Sequence, residues 1–180
     1  MKQIIWFSIA LFILISCKSE TTKPQSITIL FTNGKLFCQG NHIYSQNKKD
    51  TVRIGPWNFY YPDGQLEIFA EYDEDGEILS YNHYSVNGVL ILSYSKKDEL
   101  QMYSKFYESG NIKSETVIQS TNVDEDKTEK KSFTKEYYPN GKIMRESQQI
   151  DGLNEGVVKI WDMDENLVLS VNYHKGIIQR

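Results

Sequence analysis

Phe59-Tyr60-Tyr61-Pro62-Asp63-Gly64-Gln65-Leu66 is the stretch from which the fold can be read, because its pattern returns along the chain. With Gly64 as anchor, equivalents stand at Gly34, Gly76, Gly88, Gly110 and Gly141, and a seventh copy carries Glu165 where the others have glycine. The residue before the anchor is Asn33, Asp63, Asp75, Asn87, Ser109, Asn140 or Asp164, turn formers throughout. Two positions after it come Leu36, Leu66, Ile78, Leu90, Ile112, Ile143 and Leu167, all branched aliphatics. Four before it stand Tyr60, Tyr72, Tyr84, Phe106, Tyr137 and Trp161, with Leu30 the non-aromatic exception.

Side-chain parity selects the loop. If Asp-Gly formed a two-residue loop, Tyr60 and Leu66 would lie on opposite faces of the hairpin. Pro62 and Pro139 instead suit the second position of a type I turn, with the following glycine in a left-handed bulge position. The resulting three-residue loop pairs Tyr60 with Leu66 and Tyr137 with Ile143 directly across the hairpin. Each such cross-strand pair contributes about 0.2–1 kcal/mol, and their repetition predicts a buried stripe.

Around these turns, short runs rich in Tyr, Phe, Ile, Val and Thr alternate with turn clusters, and no long stretch has a 3.6-residue period. The fold class is therefore all-β: a single-layer or curled antiparallel sheet of repeated β-hairpins. Strands are predicted over 27–31, 35–44, 52–61, 65–72, 77–84, 89–94, 100–107, 112–119, 133–138, 142–150, 157–161 and 167–173. Anchor spacings of 30, 12, 12, 22, 31 and 24 describe a unit near 23, sometimes halved. Polar insertions at 45–51 and 120–131 fill the two long gaps, and the second reads as a mobile loop. Units stacked in this way lean on their neighbours in a quasi-linear array. One face of a lone sheet stays uncovered, and its free edge permits self-association.

The chain opens on Met1-Lys2-Gln3 and a run over 4–15 broken only by Ser8. As a helix these residues would span about 18 Å, short of the roughly 30 Å of a bilayer core. This is the pattern of a secretory signal helix. The run ends in Leu14-Ile15-Ser16-Cys17, which resembles the lipobox of bacterial lipoproteins. That resemblance implies cleavage after residue 16, diacylation of Cys17 and a membrane anchor at the cell envelope, on the outer membrane or the periplasmic face. The expected organisation is a signal peptide over 1–16, a lipidated tether over 17–26 and a β-repeat domain over 27–180.

The chain has 20 basic and 24 acidic side chains, a formal net charge of -4. An acidic surface argues against nucleic acid as a partner. Once Cys17 is acylated only Cys38 remains, so no intrachain disulfide can form, and Cys38 reads as a small buried hydrophobe.

The segments Gly55-Pro56-Trp57-Asn58-Phe59-Tyr60-Tyr61-Pro62-Asp63-Gly64 and Asp151-Gly152-Leu153-Asn154-Glu155-Gly156-Val157-Val158-Lys159-Ile160-Trp161 resemble the variant MORN repeat, a glycine, an aromatic strand, an Asp-Gly or Asn-Gly turn and an aliphatic strand. The resemblance runs from about residue 27 to residue 176 and implies a MORN-like meander. Relatives of this kind include bacterial lipoproteins and antitoxin-like members of toxin-antitoxin pairs. Several copies here lack the second glycine pair, and Glu165 displaces the last anchor.

Chemical motifs are sparse. Asp162-Met163-Asp164-Glu165-Asn166 begins like a calcium loop, but Leu167 stands where the loop requires glycine and Tyr173 where it requires glutamate. His42, His83 and His174 lack ligand spacing. No nucleophile elbow, phosphate loop or dinucleotide fingerprint is present, so no metal, cofactor or catalysis is expected. Tyr61, Tyr107 and Tyr138, beside Gln65, Asn111 and Lys142, recur on the face opposite the stripe and form a candidate partner-binding strip. The expected function is a lipid-anchored envelope module that binds another protein, an immunity-type partner among them, with a purely structural envelope component as the alternative and an enzyme acting on envelope polymers as the third reading.

Overall fold

The computed structural model describes residues 23–124 and 127–180. The signal helix, Cys17 and most of the tether lie outside the described residues. Fourteen strands follow in order: β1 Gln25–Leu30, β2 Leu36–Ser45, β3 Asp50–Tyr60, β4 Leu66–Tyr72, β5 Ile78–Tyr84, β6 Leu90–Lys97 and β7 Leu100–Phe106. They continue as β8 Ile112–Asp124, β9 Lys127–Tyr137, β10 Ile143–Ile150, β11 Leu153–Asn154, β12 Gly156–Trp161, β13 Leu167–His174 and β14 Ile177–Ile178. All belong to one antiparallel meander, with β11 added on β10 and β12 following β10 in the main path. The sheet is not closed into a barrel.

The three-residue loop is present at every anchor. At Gly64 the Gly64 N–H donates to the Tyr61 carbonyl at 2.9 Å and the Tyr61 N–H to the Gln65 carbonyl at 2.8 Å. Gly64 has φ of 100°, which a residue with a Cβ adopts only with strain. Tyr60 pairs with Leu66, Tyr72 with Ile78, Tyr84 with Leu90, Phe106 with Ile112, Tyr137 with Ile143, Trp161 with Leu167 and Leu30 with Leu36. Glu165 holds the same left-handed conformation, φ 66°, without being glycine. A β-carbon in that region costs about 1–2 kcal/mol, partly offset by the greater freedom of an unfolded glycine. Glu165→Gly is therefore expected to raise stability by about 0.5–1 kcal/mol, read as a higher urea midpoint.

A second irregularity accompanies every anchor, and the sequence pattern did not disclose it. Past the +2 aliphatic the register slips by one residue, as between Tyr60↔Leu66 and Phe59↔Ile68, where Glu67 is the extra residue. The slip recurs at all seven hairpins. Each such bulge inverts the side-chain alternation inward of the loop.

The alternation also divides the anchors. Gly34, Gly64, Gly88, Gly110, Gly141 and Glu165 lie on one rim of the meander, and Gly76 lies on the other. A spacing halved to 12 is thus a step from rim to rim.

The core differs from the expected stripe. None of the aromatic-aliphatic pairs beside the loops is fully buried; Ile78, Ile112, Leu167 and Leu30 are exposed. The buried row lies further in, seven before and six after each anchor of the first rim. It comprises the pairs Ile27↔Gly40, Trp57↔Ala70, Tyr81↔Tyr94, Tyr103↔Thr116, Thr134↔Ser147 and Val158↔Val171. Trp57, Ala70, Tyr94, Ser147 and Val158 of this row are buried, as is Cys38 one row nearer the rim on the same face. We call this the front face. The loop-adjacent pairs of the first rim face the back, because the bulge separates them in parity from the front row.

Trp57 is the largest side chain of the row, and its neighbours across the ladder are small. A β-carbon on Gly40 would lie 2.3 Å from the indole Cδ2, and Ala70 is directly opposite on β4. The indole N–H donates to the Asn41 carbonyl at 2.8 Å, and the ring stacks on Phe59 with centroids 5.9 Å apart. Tyr81, Tyr94 and Tyr103 carry the aromatic row onward at centroid separations of 5.4 and 4.8 Å.

Three further expectations are corrected. The 120–131 segment is an extension of the β8–β9 hairpin, with Ser120↔Lys130, Thr121↔Glu129 and Asn122↔Thr128 in register. Its threonines suit a strand, and the Lys130 and Asp151 backbones bond at 2.8 Å where β10 turns; residues 125 and 126 lie outside the described residues. Strands β11 and β14, two residues each, were too short to show any alternation. Finally, β1 begins at Gln25, inside the expected tether.

Candidate functional site

Tyr61, Tyr107 and Tyr138 occupy equivalent places, three before their anchors on the first rim, and all are half-buried. Their hydroxyls are occupied within the sheet. Tyr61 donates to the Tyr84 carbonyl at 2.8 Å, Tyr107 to the Tyr137 carbonyl at 2.7 Å and Tyr138 to the Trp161 carbonyl at 2.8 Å. Each acceptor is the residue four before the next anchor on that rim. The bonds therefore staple one hairpin to the next. Residues one past the anchors add to the ladder: Lys35 Nζ reaches the Asp63 carbonyl at 3.0 Å, Asn111 Nδ2 the Pro139 carbonyl at 2.8 Å and Lys142 Nζ the Met163 carbonyl at 3.1 Å. What the three tyrosines leave outward is ring surface. Tyr107→Phe and Tyr138→Phe should each lower stability by about 1 kcal/mol, measurable as a shifted urea midpoint, since the carbonyl loses its donor and the ring stays.

Behind this rim, Tyr137 donates its hydroxyl to Glu115 Oε2 at 2.7 Å on the back face. Burial, and then the bond to Glu115, push its pKa up to about 12 from an ordinary 10.0. The folded-state preference that this shift represents is complete below the unfolded value and is lost as pH climbs through the folded one. Tyr137→Phe should consequently flatten the loss of stability between about pH 10 and about pH 12, a difference that denaturation midpoints across that window would resolve.

Arg53 commands the front face near β3. Its guanidinium carbon is 4.9 Å from the Trp57 ring centroid, 5.1 Å from Phe59 and 5.9 Å from Tyr72. One of its N–H groups donates to the Tyr72 hydroxyl at 3.3 Å. Beside it lies a groove of about 450 Å³ with Ile68, Ala70, Ile78, Tyr81 and Leu92 in its walls. The sequence reading did not single out Arg53: Trp57 and Phe59 share its strand, and Tyr72 reaches it from β4, where it pairs with Gly55.

Asp162 and His174 have structural employment. Asp162 Oδ1 accepts from the backbone N–H of Asp164 and of Asn166, each at 2.9 Å, closing the last turn. The Asn166 amide and these N–H groups hold the Asp162 carboxyl below its ordinary value. Cys38 is a free, buried thiol, raised by burial. His174 Nδ1 meets Glu155 Oε1 at 2.9 Å, while His42 and His83 are strand residues of the front face. Among the described residues no group of three His, Cys, Asp or Glu side chains could hold a metal ion, and no helix is long and apolar enough to cross a membrane.

No curated protein matches the chain. A solved structure of a protein with unknown function from Bacteroides fragilis NCTC 9343 is similar at 11% identity, covering 85% of this chain and 95% of that one, with a TM-score of 0.20. Residues 53–68 and 134–151 match the family described as MORN repeat variant. The first of these stretches contains the Gly64 hairpin loop and the second the Gly141 hairpin, so two of the bulged turns described above fall within the stretches that match that repeat.

Proposed function

We propose that this chain is a lipid-anchored cell-envelope protein, held through Cys17, whose repeat sheet docks another protein. The observation that carries the docking role is the single layer itself: both faces of the meander bear half-exposed aromatic and aliphatic rows, with exposed Phe37, Met102, Val117 and Phe133 among them. Aromatic and methionine side chains dominate contact energetics at interfaces. The rim staples add to this, since they hold successive hairpins in fixed relation and so present those rows as a preformed surface. The ring faces of Tyr61, Tyr107 and Tyr138 line its edge. The anchor rests on Leu14-Ile15-Ser16-Cys17 and the polar residues that follow. An immunity-type role, blocking a secreted toxin, is the specific form we favour.

Two measurements test this. Metabolic labelling with palmitate should mark the chain and fail to mark Cys17→Ser, which should also leave the membrane fraction. Crosslinking in intact cells should then recover a defined protein with the natural chain and much less of it with Tyr61, Tyr107 and Tyr138 all changed to alanine. Labelling without any recovered protein would leave the structural envelope role in its place.

A further inference from the structure

Arg53 is a cation whose surroundings on the protein are incomplete. The side chain is exposed; its guanidinium carbon lies over the rings of Trp57, Phe59 and Tyr72, and its bond to the Tyr72 hydroxyl uses one of five N–H donors. The described residues contain four ion pairs, Lys48–Glu77, Lys135–Glu146, Arg145–Glu136 and His174–Glu155, and Arg53 takes part in none of them. This is so although acidic side chains outnumber basic ones, 24 to 20. Next to the unpaired charge the groove of about 450 Å³ is walled by Phe59, Ile68, Tyr72, Ile78, Tyr81 and Leu92, with His83 also in its lining. That volume lies within the roughly 300–1,000 Å³ range of small-molecule sites.

We propose that this groove binds an apolar carboxylate, a molecule joining one carboxylate to an aliphatic or aromatic body. The two halves of the site call for the two halves of such a ligand. The Arg53 guanidinium keeps N–H groups beyond the one that meets Tyr72, and such a planar fork matches both oxygens of a carboxylate. The Tyr72 hydroxyl accepts from Arg53, which leaves its hydrogen to donate to the same anion. The apolar walls then remove the ligand's body from water. A cationic or uncharged amphiphile would bury the same body and leave the guanidinium without a counter-charge. This reading is independent of the envelope role and of any protein partner.

Decanoate, used below its micelle-forming concentration, is the probe, with titration calorimetry and tryptophan emission as readouts; Trp57, 3% exposed and in contact with Arg53, reports on the site. The expected result is saturable binding of decanoate, with decanol and decyltrimethylammonium weaker by about tenfold or more. Arg53→Met, which keeps the aliphatic cover over Trp57, should weaken decanoate to the level of decanol, and Arg53→Lys should fall between. If Arg53→Met loses its circular dichroism, the comparison of head groups on the natural chain decides alone. Absence of saturable decanoate binding, equal binding of all three probes, or undiminished binding by a folded Arg53→Met would overturn the proposal. Tighter binding of decyl phosphate than of decanoate would overturn its carboxylate assignment.

Discussion

Trp57→Ala is expected to lower the unfolding free energy by about 3–5 kcal/mol, the usual cost of removing a buried tryptophan. The indole is 3% exposed, the largest side chain among the buried residues of the described chain. Its loss removes the Phe59 stack and the support under Arg53. It also strips the Asn41 carbonyl of its 2.8 Å donor. A sheet one layer thick has no second layer to collapse into the space, so relaxation recovers little of the cavity. Urea denaturation followed by circular dichroism gives the number. A cost below about 1 kcal/mol, the level of an ordinary surface substitution, would show that the front row is not where the sheet is held together.

Gly40→Val should be nearly as damaging, by about 3 kcal/mol, the upper part of the range for overpacking a filled site. Its β-carbon would lie 2.3–2.5 Å from three atoms of the indole. Those atoms belong to the body of a rigid ring, pinned by Phe59 on one side and by the Asn41 carbonyl at its edge, so the ring cannot step aside cheaply. The two positions must then be coupled. In the double variant the alanine at position 57 vacates the space that the valine at position 40 needs, and the combined loss should be smaller than the sum by about 1–3 kcal/mol. Additive losses would mean that Gly40 matters for its backbone rather than for the indole above it.

These two residues mark the line between what could and could not be read beforehand. The loop type was legible because proline, Asp-Gly and the parity of Tyr60 and Leu66 are local facts, each decided within a few residues of chain. All seven anchors adopt the expected left-handed conformation, Glu165 included. The identity of the core was not legible. The Trp57 row stands seven and six residues from its anchors, and the one-residue slip beyond each aliphatic reverses the alternation by which a reader would reach it. The residues at those places, isoleucine, glycine, tryptophan, alanine, tyrosine, threonine, serine and valine, share no chemical type that would advertise a common face. They share a row only because the hairpins stack.

The same limit applies to the candidate site. Tyr61, Tyr107 and Tyr138 were recognisable as a recurrent set, but their acceptors lie 23, 30 and 23 residues onward in neighbouring hairpins. The partners of Arg53 on β3 and β4, Trp57, Phe59 and Tyr72, were likewise invisible as a cluster, since nothing in their spacing distinguishes them from ordinary strand aromatics. Asp162 is the opposite case. Its bonds stay within four residues of chain, so its partners are local.

What the sequence determined by itself was the repeating hairpin: backbone dihedral preferences at glycine, proline and asparagine act locally, and they are the same in each copy. What only the tertiary structure decided was which face is buried, which rim each turn joins and where a cation is left without a counter-charge. Those depend on register between strands that are distant along the chain, and a single bulge is enough to exchange one face for the other.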